Sequence, residues 1–473
     1  ILTLGLTGYV FGYDAIIINH NNKPIFTLDF YTQGESSSFG GESQTSSHNL
    51  TQAQRAEVLR AAQFWADILG ANATNFNPIP LSVGTIKEKN ASAISYDILY
   101  ANNSSLFADM LYHNLTLENA KENLSQIPID KDSQGNPIFL SDHDLKYLGH
   151  INMGTLNWYI APHPSTLPTN ANQYDTFSTF THELFHALGL ASTTTREPND
   201  AFATSLNAYT QNLVDSRGVN AQKEMLILDD NAYHSNKNIF LIDSEVNMWE
   251  GNMGGSLSNA TGHAYFVGNH VNEVIQNAEL GFDAFNGLPI SGWENGDADL
   301  SHIELDNSLM SHQTWINYLF FMEAELALLQ DLGYVFDRKL FYGDSIYENG
   351  ITWESRNGFY DRENNAWVEG SYNPSTYGVG LHIYGRENTA TQNHNILSQG
   401  IAASGIRIDG SNNTLNIHSK IHTLGDYSNG VLVSYGKNHT INHKGEIKAT
   451  GKEGIGIHLN FGDNEAGNSS EYR

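Results

Sequence analysis

The sequence contains no cysteine among its 473 residues. Disulfides and thiolate metal sites are therefore excluded. A cytosolic chain of this length usually keeps a few thiols, and a eukaryotic secreted chain usually carries disulfides. A cysteine-free chain rich in Asn, Ser and Gly is typical of a bacterial protein that crosses an envelope before it folds.

Basic residues are also scarce, with 24 Lys and Arg against 52 Asp and Glu and a formal net charge of −28. This balance argues against nucleic acid or an anionic membrane as a partner and favours a solvated, secreted surface. Residues 1–12 are apolar and uncharged but too few to span a bilayer. They are either the remnant of a signal sequence or a first strand, and we favour the strand. No run of 18 apolar residues occurs elsewhere in the sequence, so we expect no membrane anchor within it.

One stretch carries the residue types of a metal site. His182 and His186 are four residues apart, so in a helix they would lie one turn apart on one face and could share a Zn²⁺ ion. Glu183 would lie about 100° around the helix, where it can take a proton from a zinc-bound water. The pattern predicts two zinc ligands and a general base.

The residues around this motif favour a helix. Asp175 can cap its start, and Gly189 can end it. Four apolar residues recur at helical spacing and would form its buried side: Phe177, Phe180, Leu184 and Leu188. The histidines on the opposite side would then face a cleft. An ordinary surface helix that carries two histidines is the alternative.

The motif with the following Ala187-Leu188-Gly189 resembles the metzincin peptidases. In most metzincins a third zinc-binding histidine stands three residues after the glycine, where this chain has Ser192, a poor zinc ligand. The leishmanolysin-like branch instead has a long insertion before that histidine, and this chain is similar to that branch. Its lack of cysteine departs from the disulfide-rich eukaryotic members.

A second group of residues matches the late histidine of this branch. There the third ligand stands in a Ser-His segment, followed within about a dozen residues by Leu-Met, whose methionine packs beneath the metal. The resemblance thus implies His302 as the third zinc ligand and Met310 as the methionine of this turn. His270 is the alternative third ligand.

Two further expectations concern the same region. His312 stands where related enzymes carry a tyrosine, and it could stabilise the oxyanion of the reaction; an ordinary exposed histidine is the alternative. Asp297, Asp299 and Asp306 form an acidic stretch that permits a Ca²⁺ ion without requiring one.

The order of predicted elements matches the upper subdomain of metzincins. We predict strands at residues 15–19, 25–31, 81–83, 94–100 and 151–160, a helix from a capping box at Thr51 to Gly70, and a loop at residues 34–47. The acidic residues 130–135 favour a hairpin turn over a calcium loop. The upper subdomain is expected at residues 1–189 and the lower subdomain, with the long insert, at 190–341, closed by an apolar helix that ends at Gly333.

From residue 342 the chain becomes repetitive. Short apolar strands begin at Gly380, Gly405, Gly430 and Gly454, in steps of 25, 25 and 24 residues, with Asn and Gly expected at the corners between strands. This period predicts a right-handed parallel β-helix over 342–473, so the fold class is an α+β metzincin-like domain followed by a β-helix. An antiparallel β-sandwich is the alternative.

The tail resembles the passenger stalk of bacterial autotransporters. That resemblance implies display on, or secretion from, a Gram-negative cell. It also implies that more rungs follow, and that the outer membrane is reached only through a C-terminal region outside this sequence.

Together these observations predict a zinc-dependent endopeptidase that is secreted or displayed on the surface. Its substrates would be protein or peptide chains, host extracellular proteins among them. One alternative is an adhesin in which the peptidase fold is a scaffold. Another is a protease that cleaves only its own chain.

Overall fold

The computed structural model describes residues 15–459 except 76, 132, 135, 142–143, 165, 167, 169–172, 196–198, 230–237, 243–260, 277, 279, 281–286, 295–296, 306–307, 312–320, 356–357, 362–365 and 435. The predicted first strand at 1–12 therefore lies outside the described residues. Within the described ranges, none of the helices is both long enough and apolar enough to cross a bilayer.

The chain combines helices with mixed sheets up to about residue 341 and parallel strands beyond it. The helices are α1 (Gln52–Leu69), α2 (Leu106–Tyr112), α3 (Leu117–Ser125), α4 (Thr176–Ala187), α5 (Ala208–Gln211), α6 (Asn269–Val274) and α7 (Glu323–Asp331). The strands before residue 341 are β1 (Ile16–His20), β2 (Lys23–Phe30), β3 (Ser36–Phe39), β4 (Glu42–Thr45), β5 (Ile79–Thr85), β6 (Ala91–Ser95), β7 (Pro128–Lys131), β8 (Pro137–Phe139), β9 (Gly149–Met153), β10 (Trp158–Tyr159), β11 (Tyr174–Asp175), β12 (Thr194–Thr195), β13 (Ala201–Phe202), β14 (Leu213–Val214), β15 (Leu226–Asp229), β16 (Ile239–Ile242), β17 (Thr261–Phe266), β18 (Leu288–Glu294) and β19 (Asp297–Ala298).

A five-stranded sheet with the order β1-β2-β5-β9-β6 organises the first part of the chain. Its three middle strands are parallel, and β1 and β6 pair antiparallel at its two sides. Helix α1 begins with the predicted capping box at Thr51, ends at Gly70 and packs against α4. The two helices bury Trp65 and Phe185 between them, with ring centroids 5.3 Å apart.

Three predictions for this part were wrong. The strand predicted at 151–160 is divided, because β9 ends at Met153 and β10 covers only Trp158–Tyr159. Residues 34–47, predicted as a loop, contain the hairpin β3–β4, whose turn uses Gly40 and Gly41 at φ +62° and +84°. Such positive φ angles suit glycine and match the twist of a hairpin. The strand predicted at 94–100 ends at Ser95, whose side chain caps a 3₁₀ turn at Tyr96–Leu99. The hairpin turn predicted at 130–135 is confirmed, because β7 and β8 pair on either side of it.

The segment after α4 forms two small sheets, ordered β12-β13-β15-β16 and β14-β17-β18-β19. Helix α7 closes this part and is buried from Glu323 to Leu329. It ends before Gly333, as predicted.

The tail consists of three stacked parallel sheets, ordered β20-β25-β28-β31-β34, β21-β26-β29-β32 and β24-β27-β30-β33. The strands are β20 (Tyr342–Ile346), β21 (Thr352–Glu354), β22 (Gly358–Asp361), β23 (Ala366–Glu369), β24 (Ser371–Asn373), β25 (Val379–Ile383), β26 (Thr389–Gln392), β27 (Ile396–Ser398), β28 (Ser404–Ile408), β29 (Thr414–Ile417), β30 (Lys420–Thr423), β31 (Asn429–Val433), β32 (Thr440–His443), β33 (Glu446–Ala449) and β34 (Ile455–Leu459). Strands β22 and β23 form an antiparallel hairpin outside the stack.

The register of the stack follows the sequence period, since Leu381 pairs with Ile406 and Ile406 pairs with Val431. These residues lie in a buried apolar core within the stack. The arrangement is compatible with the predicted parallel β-helix and contradicts the antiparallel sandwich. Its corners differ in part from expectation, because Tyr377 and Tyr427, besides several Asn and Gly residues, adopt positive φ.

The first rungs of the stack contact the helical part directly. The ring of Tyr377 lies 5.7 Å from that of Phe64 on α1 and 6.0 Å from that of Phe177 on α4. His163, in the segment before α4, stacks on Tyr427 with centroids 4.4 Å apart. One apolar core therefore continues across residue 341.

Candidate metal centre

Helix α4 carries the first two histidines and is held at both ends. The carboxyl group of Asp175 accepts from the Ser178 N–H at 2.7 Å, which caps the helix start. In the middle, the indole N–H of Trp65 donates to the carbonyl of Thr181 at 3.0 Å. The helix ends at Ala187, and Gly189, which follows at φ +114°, turns the chain away as predicted.

The turn after α4 is tied to the rest of the fold. The hydroxyl of Tyr334 donates to the carbonyl of Leu188 at 2.8 Å. A Cβ atom on Gly189 would lie only 2.8 Å from Oδ2 of Asp97. Asp97 is itself buried and accepts from the Leu106 N–H at 2.6 Å. Burial raises the pKa of Asp97 to about 6, and its hydrogen bonds oppose the rise.

His182, His186 and His302 meet at one point, as predicted. One nitrogen from each imidazole lies within 4.8 Å of the others. The centroid of the His302 ring is 5.4 Å from that of His182 and 4.8 Å from that of His186. Across the described part of the chain, this trio is the one group of three or more His, Asp or Glu side chains close enough to hold a metal ion.

The Nδ1 atom of each histidine has an acceptor. His182 donates to the carbonyl of Leu309 at 2.7 Å, His186 to the carbonyl of Leu190 at 2.7 Å, and His302 to Oδ2 of Asp299 at 2.9 Å. Such outer contacts set the tautomer of a metal-binding histidine and direct its other nitrogen.

The remaining nitrogens have the chemistry of a zinc site. A carbonyl oxygen can only accept, so Nδ1 carries the proton in His182 and His186, and Nε2 of each neutral ring presents a lone pair. These two Nε2 atoms are 3.1 Å apart. Two lone pairs at that distance repel unless a cation lies between them. On one tetrahedral zinc ion, with Zn–N distances of ~2.0–2.1 Å, the two ligating nitrogens would be ~3.3 Å apart. The residues therefore fit a zinc ion.

Ser192 occupies the place where the resemblance expects a histidine, and it has a different role. Its hydroxyl donates to the carbonyl of Asp299 at 2.8 Å, and its N–H donates to Oγ of Ser301 at 3.1 Å. Ser192 thus anchors the segment that brings His302 to the other two histidines. Sequence reasoning missed this role, since no spacing relates Ser192 to residues more than 100 positions away.

Asp299 also has a contact that the sequence analysis did not predict. Its carboxyl group accepts from Nδ1 of His302 and from the hydroxyl of Ser291, so it orients an imidazole. This role could have been predicted from the position of Asp299, three residues before the candidate ligand His302. The calcium site predicted with Asp297 and Asp306 stays a prediction, because Asp306 lies outside the described residues.

Met310 is fully buried in a loop beside the histidines. Its carbonyl accepts from the N–H of Ile303, the residue after His302, at 2.9 Å. The carbonyl of Leu309, the residue before Met310, accepts from Nδ1 of His182. Its predicted packing beneath a metal stays a prediction. Sequence reasoning missed Glu325, which contacts this loop, because α7 was interpreted only as an apolar core helix.

Glu183 lies beside the cluster and is only 6% exposed. Burial raises the pKa of Glu183 to about 8, and a hydrogen bond from the N–H of Ala93 opposes the rise. Ala93 belongs to β6, the last strand of the sheet. The carboxyl group is thus held between the histidine-bearing face of α4 and the edge strand β6.

His270, the other candidate for the third ligand, is not part of the cluster. The N–H of His270 donates to the carboxyl group of Asp331 at 2.9 Å, where α6 packs against α7. The three histidines whose nitrogens converge do not include His270, so the alternative of His270 as third ligand is not supported. The predicted role of His312 falls on a residue outside the described ranges.

The similarity of the chain to known proteins adds no family assignment. None of the protein-family models compared with the sequence matches it. No curated protein and no solved structure compared with the chain is significantly similar to it. A function for this chain must therefore be argued from the site itself.

Proposed function

We propose that this chain is a zinc-dependent endopeptidase of the metzincin type, closest in pattern to its leishmanolysin-like branch. One observation carries the proposal. The Nδ1 atoms of His182, His186 and His302 are each bonded outward, and a nitrogen of each ring converges on one point beside Glu183. A structural histidine cluster has no need of three outward hydrogen bonds and an adjacent buried acid.

In this proposal each side chain has a defined task. His182, His186 and His302 would hold the ion, and Asp299 with two backbone carbonyls would keep their rings in place. A bound zinc ion would lower the pKa of a water molecule and polarise the carbonyl of the scissile peptide. The carboxyl group of Glu183 would accept a proton from the attacking water and pass it to the leaving amine.

The edge of the sheet supports an extended peptide as substrate. Strand β6 is last in its sheet, and Ile94 is 40% exposed. A peptide in extended conformation could pair with the backbone of β6 and pass Glu183. The N–H of Ala93 already bonds Glu183, so the same strand would position both the general base and the substrate.

We also propose that the protein is secreted or displayed on the surface of a Gram-negative bacterium. The cysteine-free, acidic composition and the stacked parallel sheets of the tail support this location. Host extracellular proteins would then be the available substrates.

The test compares wild type with Glu183→Gln, a variant that keeps the size of the side chain and removes its basicity. Both are loaded with zinc, assayed for zinc content, and incubated with a quenched peptide library and an unfolded protein. We expect similar zinc in both proteins and cleavage by wild type alone.

Other outcomes separate the alternatives. Zinc in both proteins without cleavage by either would contradict the peptidase and favour an adhesin on a peptidase-like scaffold. A discrete cut in the protein's own chain, absent in Glu183→Gln and unaccompanied by peptide cleavage, would indicate self-processing. No zinc in wild type would contradict the metal centre.

A further inference from the structure

Glu325, in the first turn of α7, is completely buried beneath the loop Ser308–Leu309–Met310. Its Oε1 atom accepts from the hydroxyl of Ser308 at 2.5 Å and from the N–H of Met310 at 2.9 Å. The N–H of Leu309 also donates to this carboxyl group. Three donors of one loop thus converge on a single buried acid.

The same loop contacts two of the three histidine segments. The carbonyl of Leu309 accepts from Nδ1 of His182, and the carbonyl of Met310 accepts from the N–H of Ile303, which follows His302. In the peptide unit that joins Leu309 to Met310, the N–H therefore donates to Glu325 and the carbonyl accepts from His182. A shift of the loop would move the acceptor of His182.

Helix capping explains only part of this arrangement. The Oε2 atom of Glu325 accepts from the N–H of Met322 at 2.5 Å, which is the contact of a capping box. That contact needs one oxygen. The other oxygen serves the loop, and burying a carboxyl group is costly unless its hydrogen bonds are satisfied. Burial raises the pKa of Glu325 to about 7, and the four donors oppose the rise.

We propose that Glu325 is a positioning residue for the metal centre, which holds the Ser308–Met310 loop so that the carbonyl of Leu309 orients His182. The identity of the metal as zinc rests on the proposed function. Glu325 does not touch the ion or the substrate and acts through Leu309.

Zinc affinity of the full chain, measured by competition with a chromophoric chelator, tests this role without any peptidase assay. In Glu325→Gln the amide –NH₂ must face either the loop donors or the N–H of Met322, so one set of contacts is lost. Ser308→Ala removes a loop donor and leaves α7 intact. Glu323→Gln is the matched control, because Glu323 is equally buried on the same helix but pairs with Arg338 and Lys339.

We expect Glu325→Gln to weaken zinc binding by about tenfold or more, the range of outer contacts to metal ligands, and Ser308→Ala to weaken it less. Glu323→Gln should lower the unfolding temperature while leaving the zinc Kd unchanged. The visible spectrum of bound Co²⁺ should change in Glu325→Gln and not in the control.

If Glu325→Gln and Glu323→Gln bind zinc as tightly as wild type, or weaken it equally, Glu325 has only a structural role and the proposal is overturned. If wild type itself binds no zinc, the proposed function fails first, which is a separate and recognisable result.

Discussion

The imidazole of His182 donates from Nδ1 to the carbonyl of Leu309, 2.7 Å away in space and 127 residues later in the chain. The contact joins the helix that carries the first two histidines to the loop that follows the third. Orientation of the candidate metal centre therefore depends on a part of the chain that no local motif includes.

His302→Ala should remove the third nitrogen of the centre. Zinc would then keep two protein ligands, and we expect its affinity to fall by at least about a hundredfold, more than loss of an outer contact costs. Zinc content after dialysis and chelator competition measure this. His270→Ala is the control, and equal losses in both variants would show that His302 is not the third ligand.

Gly189→Ala should destabilise the fold by more than the strain of its positive φ angle alone. Alanine at φ +114° is strained, and its Cβ would lie 2.8 Å from the buried Oδ2 of Asp97. Gly34 also has positive φ, +85°, but nothing lies within 4 Å of a Cβ there. We expect a loss of about 1 kcal/mol in the free energy of unfolding for Gly34→Ala and about 2–3 kcal/mol for Gly189→Ala. Urea unfolding without metal compares them, and equal losses would exclude the contact with Asp97.

Tyr377→Ala should destabilise the helical part although the residue belongs to the tail. Its ring packs against Phe64 and Phe177, so the variant leaves a cavity that costs about 3 kcal/mol. Tyr372, which is 39% exposed, is the control, and its replacement by Ala should change stability by less than about 0.5 kcal/mol. The helical circular dichroism signal during urea unfolding reports on the helical part, because the helices lie before residue 341. An unchanged midpoint in Tyr377→Ala would mean that the two parts unfold independently.

Asp175→Asn should change the pH dependence of stability. Burial raises the pKa of Asp175 to about 6 from a usual value of 3.8, opposed by Ser178 and Arg60, while Glu57 adds to the rise. The folded state then holds the proton more tightly than the unfolded state. The stability that the protonated Asp175 contributes is fully present below about pH 4 and is lost as the pH rises through 6.

Wild type should accordingly lose on the order of 2–3 kcal/mol of unfolding free energy from this group between pH 4 and pH 7, and Asp175→Asn should lack that loss. Urea unfolding of the metal-free proteins at pH 4.5, 5.5 and 7 measures the difference. Asp67→Asn, at an exposed position of α1, controls for adding an amide. Parallel stability curves for wild type and Asp175→Asn would contradict this account.

The local features of the chain could be predicted from the sequence because the residues that form them are close together in the chain. The capping box at Thr51, the cap of α4 at Asp175 and the turn at Gly189 each depend on residues within a few positions. The 25-residue period of the tail predicted its register, since each rung pairs with the next copy of the same pattern. His302 was indicated by resemblance and not by spacing.

Tertiary structure alone decided how these features meet. The anchoring of the His302 segment by Ser192, the acceptor that Leu309 offers to His182, and the contacts of Glu325 with its loop join residues far apart in the chain or on different elements. No periodicity records such pairs, because a hydrogen bond depends on distance in space. The sequence by itself thus determined which helix could bind a metal and how the tail repeats, while packing of distant segments decided which side chains orient the three histidines.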